Sequence, residues 1–457
     1  MNFTAIHLPA ISTLAPEMMP TKQPAVVFYA RDFLATEFSQ IGKKFQNRVR
    51  VYIVTNPTEK SKVEAIDRGS VTYDLSGAAA SPLSKNNHPQ DRAFNNDRFL
   101  RAYAAAEIAD VVAKVADVCD AILDKFAVEL YFDEPVSGYP NFLFNQRFTE
   151  VGAKCLHFQT SWIPGYMFFT ADTAQAAAQV LNLTEGGMAV VENHIRNRAA
   201  GAAVPLYVIN YSTVRARLRD AAVTLAKGLY RRLFRSQAYY LDQDPGAHAF
   251  HVASLLSSFL GGYLTEADLH RLSGKYVLYP LHYEPESVLN YFSEFSRQDE
   301  IVEQIIDSMP MGYELILKEH PSQPGALNLP KWRRISRFKR VLKVRGGANA
   351  SALLQHDVAV VSIGSTLVIE AALAGCPVGV LGKVHFASMP GIVHLQSPRE
   401  WDRILTAPRA SAQQIASWYG KFLDRHCFQG NIMKNRTHIA QLDELLARLV
   451  ELKPATP

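Results

Sequence analysis

Between Val358 and Gly382 the chain carries one charge, Glu370. The stretch begins as a strand-like apolar run over 357–362, turns at Gly364-Ser365-Thr366, and continues as an apolar helix to Gly375. A buried strand feeding a buried helix belongs to sheets covered on their faces by helices, so the segment points to an α/β fold. Glu370 lies one turn into that helix, where a bare carboxylate is costly; it must find a partner or stay neutral. The turn sets hydroxyls and backbone N–H groups at the helix start, a seat for an anion. Ligands of open α/β sheets bind at the carboxyl ends of strands. Hydroxyls and amides for a phosphate, with a carboxylate one turn deeper for sugar hydroxyls, describe a nucleotide pocket.

The same alternation runs along most of the chain. Strands are expected at 25–31, 49–54, 128–132 and 155–158, with helices at 32–45, 97–126 and 141–153 between them. Residues 58–97 read as polar loop with short elements. From 172 to 270 the chain reads as mostly helical, with one strand-like run at 206–209. Strands resume at 275–279, 314–318 and 377–381, with a helix at 299–308. The tail, 411–452, reads as two helices, the last able to pack back across the cleft. The expected organisation is an N-terminal Rossmann-like domain (1–171), a helical connection (172–270), a second Rossmann-like domain (271–400) and C-terminal helices (401–457). The candidate site lies between the two halves.

At 457 residues two domains are the default, and 48% hydrophobic with 20% charged residues marks a globular chain. No apolar run approaches the ~20 residues of a membrane span, and the N-terminus lacks the layout of a signal peptide. Four scattered cysteines show no metal-ligand spacing, so no metal is expected and reduced thiols in a cytoplasmic protein fit best. The net charge of +5 is uneven: seven Arg or Lys stand between 215 and 235, and eight between 331 and 345. Either these are solvated faces, or they meet phosphates of a nucleotide or of an anionic membrane. Nucleic acid is not expected, since no binding motif accompanies the charge.

Four constellations sit at expected strand ends. Lys318-Glu319-His320-Pro321 follows a strand; the proline holds His320 extended, either as a surface histidine or as a donor to phosphate. Tyr279-Pro-Leu-His282-Tyr-Glu284-Pro-Glu286 offers an imidazole and two carboxylates within five residues, enough for a nucleophile or general base. Extended geometry would put His282, Glu284 and Glu286 on one side; alternatively Glu286 caps a helix. Asp133 and Glu134 end a strand of the first half, as acceptor contact or base, or as ordinary turn residues. Ser161 follows another strand there and either shapes an acceptor site or belongs to a packed turn.

Taken together, these motifs resemble the bacterial capsule polysaccharide biosynthesis family, which includes the retaining β-Kdo glycosyltransferases. The matching pieces are 132–166 and 276–382, including Gly364-Ser-Thr-Leu-Val-Ile-Glu370-Ala and Ala374-Gly-Cys-Pro-Val378. The resemblance implies a GT-B-like fold with two Rossmann-like domains facing a central cleft. It implies a CMP-linked sugar donor, plausibly CMP-Kdo, as co-substrate with no other cofactor, and surface polysaccharide work at the inner face of the cytoplasmic membrane. By that analogy His320 and Ser365 hold the nucleotide phosphate, with Lys318, Gly364 and Thr366 around them, and Glu370 takes the ribose. Two departures stand out. Kdo-transferring relatives tend to have Pro-Leu-Gln and then Asp where this chain has His282 and Glu286. Many also place an Arg after the serine matching Ser161, where this chain has Trp162.

The leading expectation is a retaining glycosyltransferase with Glu286 as nucleophile, acting on a lipid-linked glycan. The alternatives are a non-catalytic assembly or export partner held to the membrane through residues 215–235, and a UDP-sugar-dependent GT-B enzyme or related epimerase.

Overall fold

The computed structural model describes residues 22–78, 97, 100, 104–135, 137–170, 175–199, scattered positions from 215 to 229, 245–284, 291–295, 297–432 and 437–451. Glu286, the strand expected at 206–209 and part of the 215–235 stretch lie outside the described residues.

Two sheets organise these residues. The first carries β1 (Gln23–Tyr29), β2 (Val49–Val54), β3 (Val71–Asp74), β4 (Phe126–Asp133), β5 (Lys154–Thr160) and β6 (Tyr166–Thr170). The second carries β7 (Lys275–Pro280), β8 (Tyr313–Lys318), β9 (Val341–Val344), β10 (Asp357–Ser362), β11 (Val378–Val380) and β12 (Ile392–His394). Two further short strands, β13 (Phe428–Asn431) and β14 (His438–Ile439), follow near the C-terminus. In the first sheet the order β3-β2-β1-β4-β5 is parallel throughout, and β6, β13 and β14 extend it antiparallel. The second is all parallel, ordered β12-β11-β10-β7-β8-β9. Both follow the doubly wound pattern in which strand order reverses beside the first strand, and ligands of such sheets bind at that reversal. The reversals fall between β1 and β4, and between β7 and β10. This is the α/β architecture of two Rossmann-like domains expected from the strand–helix alternation.

Burial explains why these segments became strands. Residues 25–29, 51–54, 276–280 and 358–362 are buried without a break, as strands covered on both faces must be. Carboxyl-end segments of the two sheets meet. Phe142 stacks on Tyr291 at 6.2 Å, the Gln175 N–H donates to the Lys383 carbonyl at 2.8 Å, and Trp162 and Ile163 share a core with Leu367 and Val368.

Three expectations are corrected. Of 58–97, read as polar loop with short elements, the described residues 58–78 hold most of a 10-residue helix, Pro57–Ile66, that leads into β3. Its start was encoded locally, since Asn56 accepts from the Glu59 N–H at 3.0 Å with Pro57 in the first turn. Strand β9 had no forecast, because its four residues sit among basic neighbours. The tail is more than two helices, since β13 pairs with β6 and Leu445, Leu446 and Leu449 of the last helix pack into the core of the first sheet. The helix before them, Ala412–His426, packs on the Gly187–Ala199 helix. There a Cβ on Gly420 would stand 2.6 Å from Met188 backbone, so glycine permits the close crossing.

Candidate functional site

At the reversal of the second sheet, His282 leaves β7 and Gly364 leaves β10. The Gly364 N–H donates to His282 Nε2 at 3.1 Å, and the Ser362 hydroxyl lies 3.3 Å from the same nitrogen. An N–H aimed at Nε2 requires that nitrogen to accept, which assigns the ring proton to Nδ1. The Ser365 N–H donates to Ser362 Oγ at 3.0 Å and the Leu367 N–H to Ser365 Oγ at 3.3 Å. The turn expected to offer free amides to an anion therefore spends three of them internally, and the helix behind it has only 7 residues. Ser365 and Thr366 contribute hydroxyls there, while Gly364 contributes no open amide.

The expected alignment of His282 with Glu284 does not occur. Gln298 brackets His282, accepting from its N–H at 2.7 Å and donating to its carbonyl at 3.1 Å. Gln323 does the same for Glu284, at 2.9 and 2.5 Å. Held this way, His282 turns toward β10, while the Glu284 carboxylate faces Lys331 at 2.9 Å and Gln298 at 2.9 Å. Glu284 thus carries an ion pair with Lys331 at the end of that strand.

Lys318 and His320 stand at the end of β8. Lys318 is buried and donates to the Gly346 carbonyl at 2.6 Å. Burial pulls its ammonium down to about 8, against the raising influence of Glu319 and Glu370. His320 Nδ1 accepts from the Ser322 N–H at 3.2 Å, and its ring meets Tyr283 edge-on at 5.9 Å. Gly346 is required here: a Cβ would fall 2.7 Å from the His320 carbonyl oxygen. Glu319 turns away, accepting from the Tyr263 hydroxyl at 2.5 Å and the Leu327 N–H at 3.1 Å.

Glu370 has found its partner. Arg198, at the end of the Gly187–Ala199 helix, meets it at 2.7 Å. Burial raises the Glu370 carboxyl above its ordinary value, opposed by Arg198 and Lys318. Arg198 went unnoticed in the sequence. The only local signal was the demand of Glu370 for a cation, which does not say where the cation comes from.

In the first sheet the reversal holds a second polar cluster. Glu134, half-exposed, pairs with Arg31, whose guanidinium also donates to Ser137 at 2.7 Å. Asp133 is fully buried and does not reach the cleft as an acceptor contact. It accepts from the Tyr131 hydroxyl at 2.6 Å, the Asn141 amide at 2.7 Å and the Glu134 N–H at 2.7 Å. Burial outweighs these bonds and lifts its carboxyl to about 7. Ser161 belongs to a packed turn: its Oγ accepts from the Ile163 N–H at 2.9 Å, and the Trp162 N–H donates to the Tyr419 hydroxyl at 2.8 Å.

The four cysteines are free and buried. Among the described residues no helix is long and apolar enough to cross a membrane.

Two Rossmann-like sheets with polar clusters at both reversals define a two-domain, GT-B-like α/β protein. Residues 264–422 match the family model described as capsule polysaccharide biosynthesis protein, so the resemblance read from the motifs holds over that segment, under half of the chain. No curated protein matches. Among solved structures, Thermosulfurimonas dismutans KpsC, described as a β-Kdo 2,7 transferase, is 14% identical over 74% of this chain and 89% of its own, with a TM-score of 0.33. The UDP complex of S. aureus MnaA is 10% identical over 86% and 91%, with a TM-score of 0.27. The UDP-GlcNAc 2-epimerase of Neisseria meningitidis, bound to UDP-GlcNAc, is 11% identical over 93% and 99%, with a TM-score of 0.23. Likeness at this level speaks to neither donor nor acceptor.

Proposed function

We propose that this protein is a nucleotide-sugar-dependent glycosyltransferase of surface polysaccharide biosynthesis, with a CMP-linked sugar, plausibly Kdo, as donor and a lipid-linked glycan as acceptor. The observation that carries the reading is the Arg198–Glu370 pair at 2.7 Å behind the Gly364 turn, with Lys318 buried at the end of β8 in the same sheet. Lys318 and Glu370 both lie inside the segment that matches the capsule family. Cations beside a carboxylate suit a nucleotide: positive charge for its phosphate, an acceptor for its ribose hydroxyls. His320, Ser365 and Thr366 complete the phosphate side. Glu286 is the nucleophile of a retaining double displacement, and Glu134, held by Arg31, is the acceptor-side base.

Thermal-shift titration with the nucleoside monophosphates tests the donor. At a hundredfold excess over the dissociation constant the ligand stabilises by about 2.7 kcal/mol, so a response selective for the cytidine nucleotide is expected. No response to any nucleotide sinks the reading. Glu286→Gln should then abolish transfer while leaving nucleotide binding intact.

A membrane-bound assembly role is the second reading, favoured by one observation. Leu218, Leu225 and Leu229 are 48%, 58% and 59% exposed in the basic 215–235 stretch, an arrangement suited to an anionic lipid surface. Flotation with anionic and neutral liposomes separates the two: lipid binding without nucleotide binding favours the assembly role.

A further inference from the structure

If the turn amides at Gly364, Ser365 and Leu367 are already engaged, positive charge for an anion must come from side chains. Two cations stand beside Glu370. Lys318 is buried, with its Nζ on the Gly346 carbonyl, and Arg198 reaches in from the connecting helix. Glu319, the other carboxylate next to Lys318, is oriented to Tyr263, whose ring Arg345 covers at 4.4 Å. Lys318, Arg198 and Arg345 thus stand against two carboxylates, Glu319 and Glu370, with one positive charge in excess. The excess charge suits an incoming phosphate.

We propose that Arg198 is a phosphate-binding residue of the donor site, its guanidinium bridging Glu370 and the nucleotide phosphate. The inference rests on the nucleotide-sugar reading and deepens it. Arginine suits the task because its planar fork carries five donors. Nη2 meets Glu370, and the side chain remains 29% exposed, so a ligand can reach it. Glu370 fixes the fork in place, which lowers the ordering cost of binding. The residue lies outside the segment that matches the capsule family. The connecting helix would therefore be part of the donor site as well as a link between the sheets. That helix also touches the first domain, since Trp162 meets His194 edge-on at 4.9 Å one turn before Arg198.

The test is calorimetry of the full chain with cytidine and with its 5′-monophosphate, for the wild type, Arg198→Ala and Arg198→Lys. Loss of a charge-assisted contact is worth about tenfold or more in affinity. Arg198→Ala should weaken the monophosphate by that factor and cytidine less than twofold, with Arg198→Lys in between. Equal weakening of both ligands would mean that Arg198 only orients Glu370, and the inference fails. Unchanged or tighter monophosphate binding would make it a bystander or a plug, with the same result. A wild type that binds neither ligand overturns the donor reading itself. Far-ultraviolet circular dichroism of both variants confirms that they fold.

Discussion

His282 and Gly364 close the reversal of the second sheet, the glycine N–H donating to the imidazole Nε2 at 3.1 Å. The bond ties the end of β7 to the end of β10 and fixes the ring tautomer. His282→Ala should leave the half-buried Gly364 N–H without its acceptor, at a cost of about 1 kcal/mol. Urea denaturation reads the loss, and amide exchange at Gly364 should speed up. Unchanged exchange there would show that the bond does not hold in solution.

Lys318 gives the candidate site a pH dependence. Burial brings its ammonium down to about 8, so above that pH the amine is neutral and attracts an anion less. Nucleotide affinity should fall as pH rises through 8, and binding should take up protons near that pH, because a bound phosphate favours the charged form. Calorimetry in buffers of different ionisation enthalpy measures the uptake. Lys318→Met should bind weakly, with this pH dependence gone. An affinity flat from pH 7 to 9 in the wild type would exclude Lys318 from the phosphate site.

His385 makes the fold acid-sensitive. It is packed among Phe168, Phe386, Tyr419 and Phe422, with Nε2 3.0 Å from the Tyr419 hydroxyl. Burial drives its folded value down to about 3, far below the unfolded ~6.5. A depressed histidine contributes stability that is present above 6.5 and is lost as pH falls toward 3, because the unfolded chain binds the proton first. His385→Phe should therefore unfold at lower pH than the wild type, while differing less from it at pH 8. Acid titration followed by tryptophan fluorescence decides; an unmoved midpoint would count against this origin.

Gly346 supports His320 from below. A Cβ there would meet the His320 carbonyl oxygen at 2.7 Å and Pro321 Cα at 2.8 Å, backbone that cannot step aside. Gly346→Ala should destabilise by about 1–3 kcal/mol and weaken nucleotide binding by displacing His320. Gly347→Ala, where the added Cβ meets nothing within 4 Å, should do neither. Thermal melting of the two variants makes the comparison.

Much of the fold was legible because strands buried on both faces leave continuous apolar runs, as at 358–362 and 276–280. The turn at Gly364-Ser365-Thr366 was legible for a similar reason: a glycine, two hydroxyls and a lone carboxylate stand out in an apolar stretch. What failed was the accounting of hydrogen bonds. Two of the turn amides go to the neighbouring hydroxyls of Ser362 and Ser365, while the acceptor for Gly364, His282, comes from beyond the end of β7, which the sequence could not show. Nor does the sequence show that Lys331 folds against Glu284.

The sequence alone determined the strand–helix alternation of the two sheets and the resemblance of 276–382 to the capsule family, whose model matches 264–422, since each depends on local periodicity or local order of residues. Tertiary structure decided which charges meet: Arg198 with Glu370, Lys331 with Glu284, Arg31 with Glu134. It also decided that the chain returns through β13 to complete the first sheet. The reason is physical. A carboxylate's need for a partner is written where it stands, but the partner is chosen by how distant segments pack.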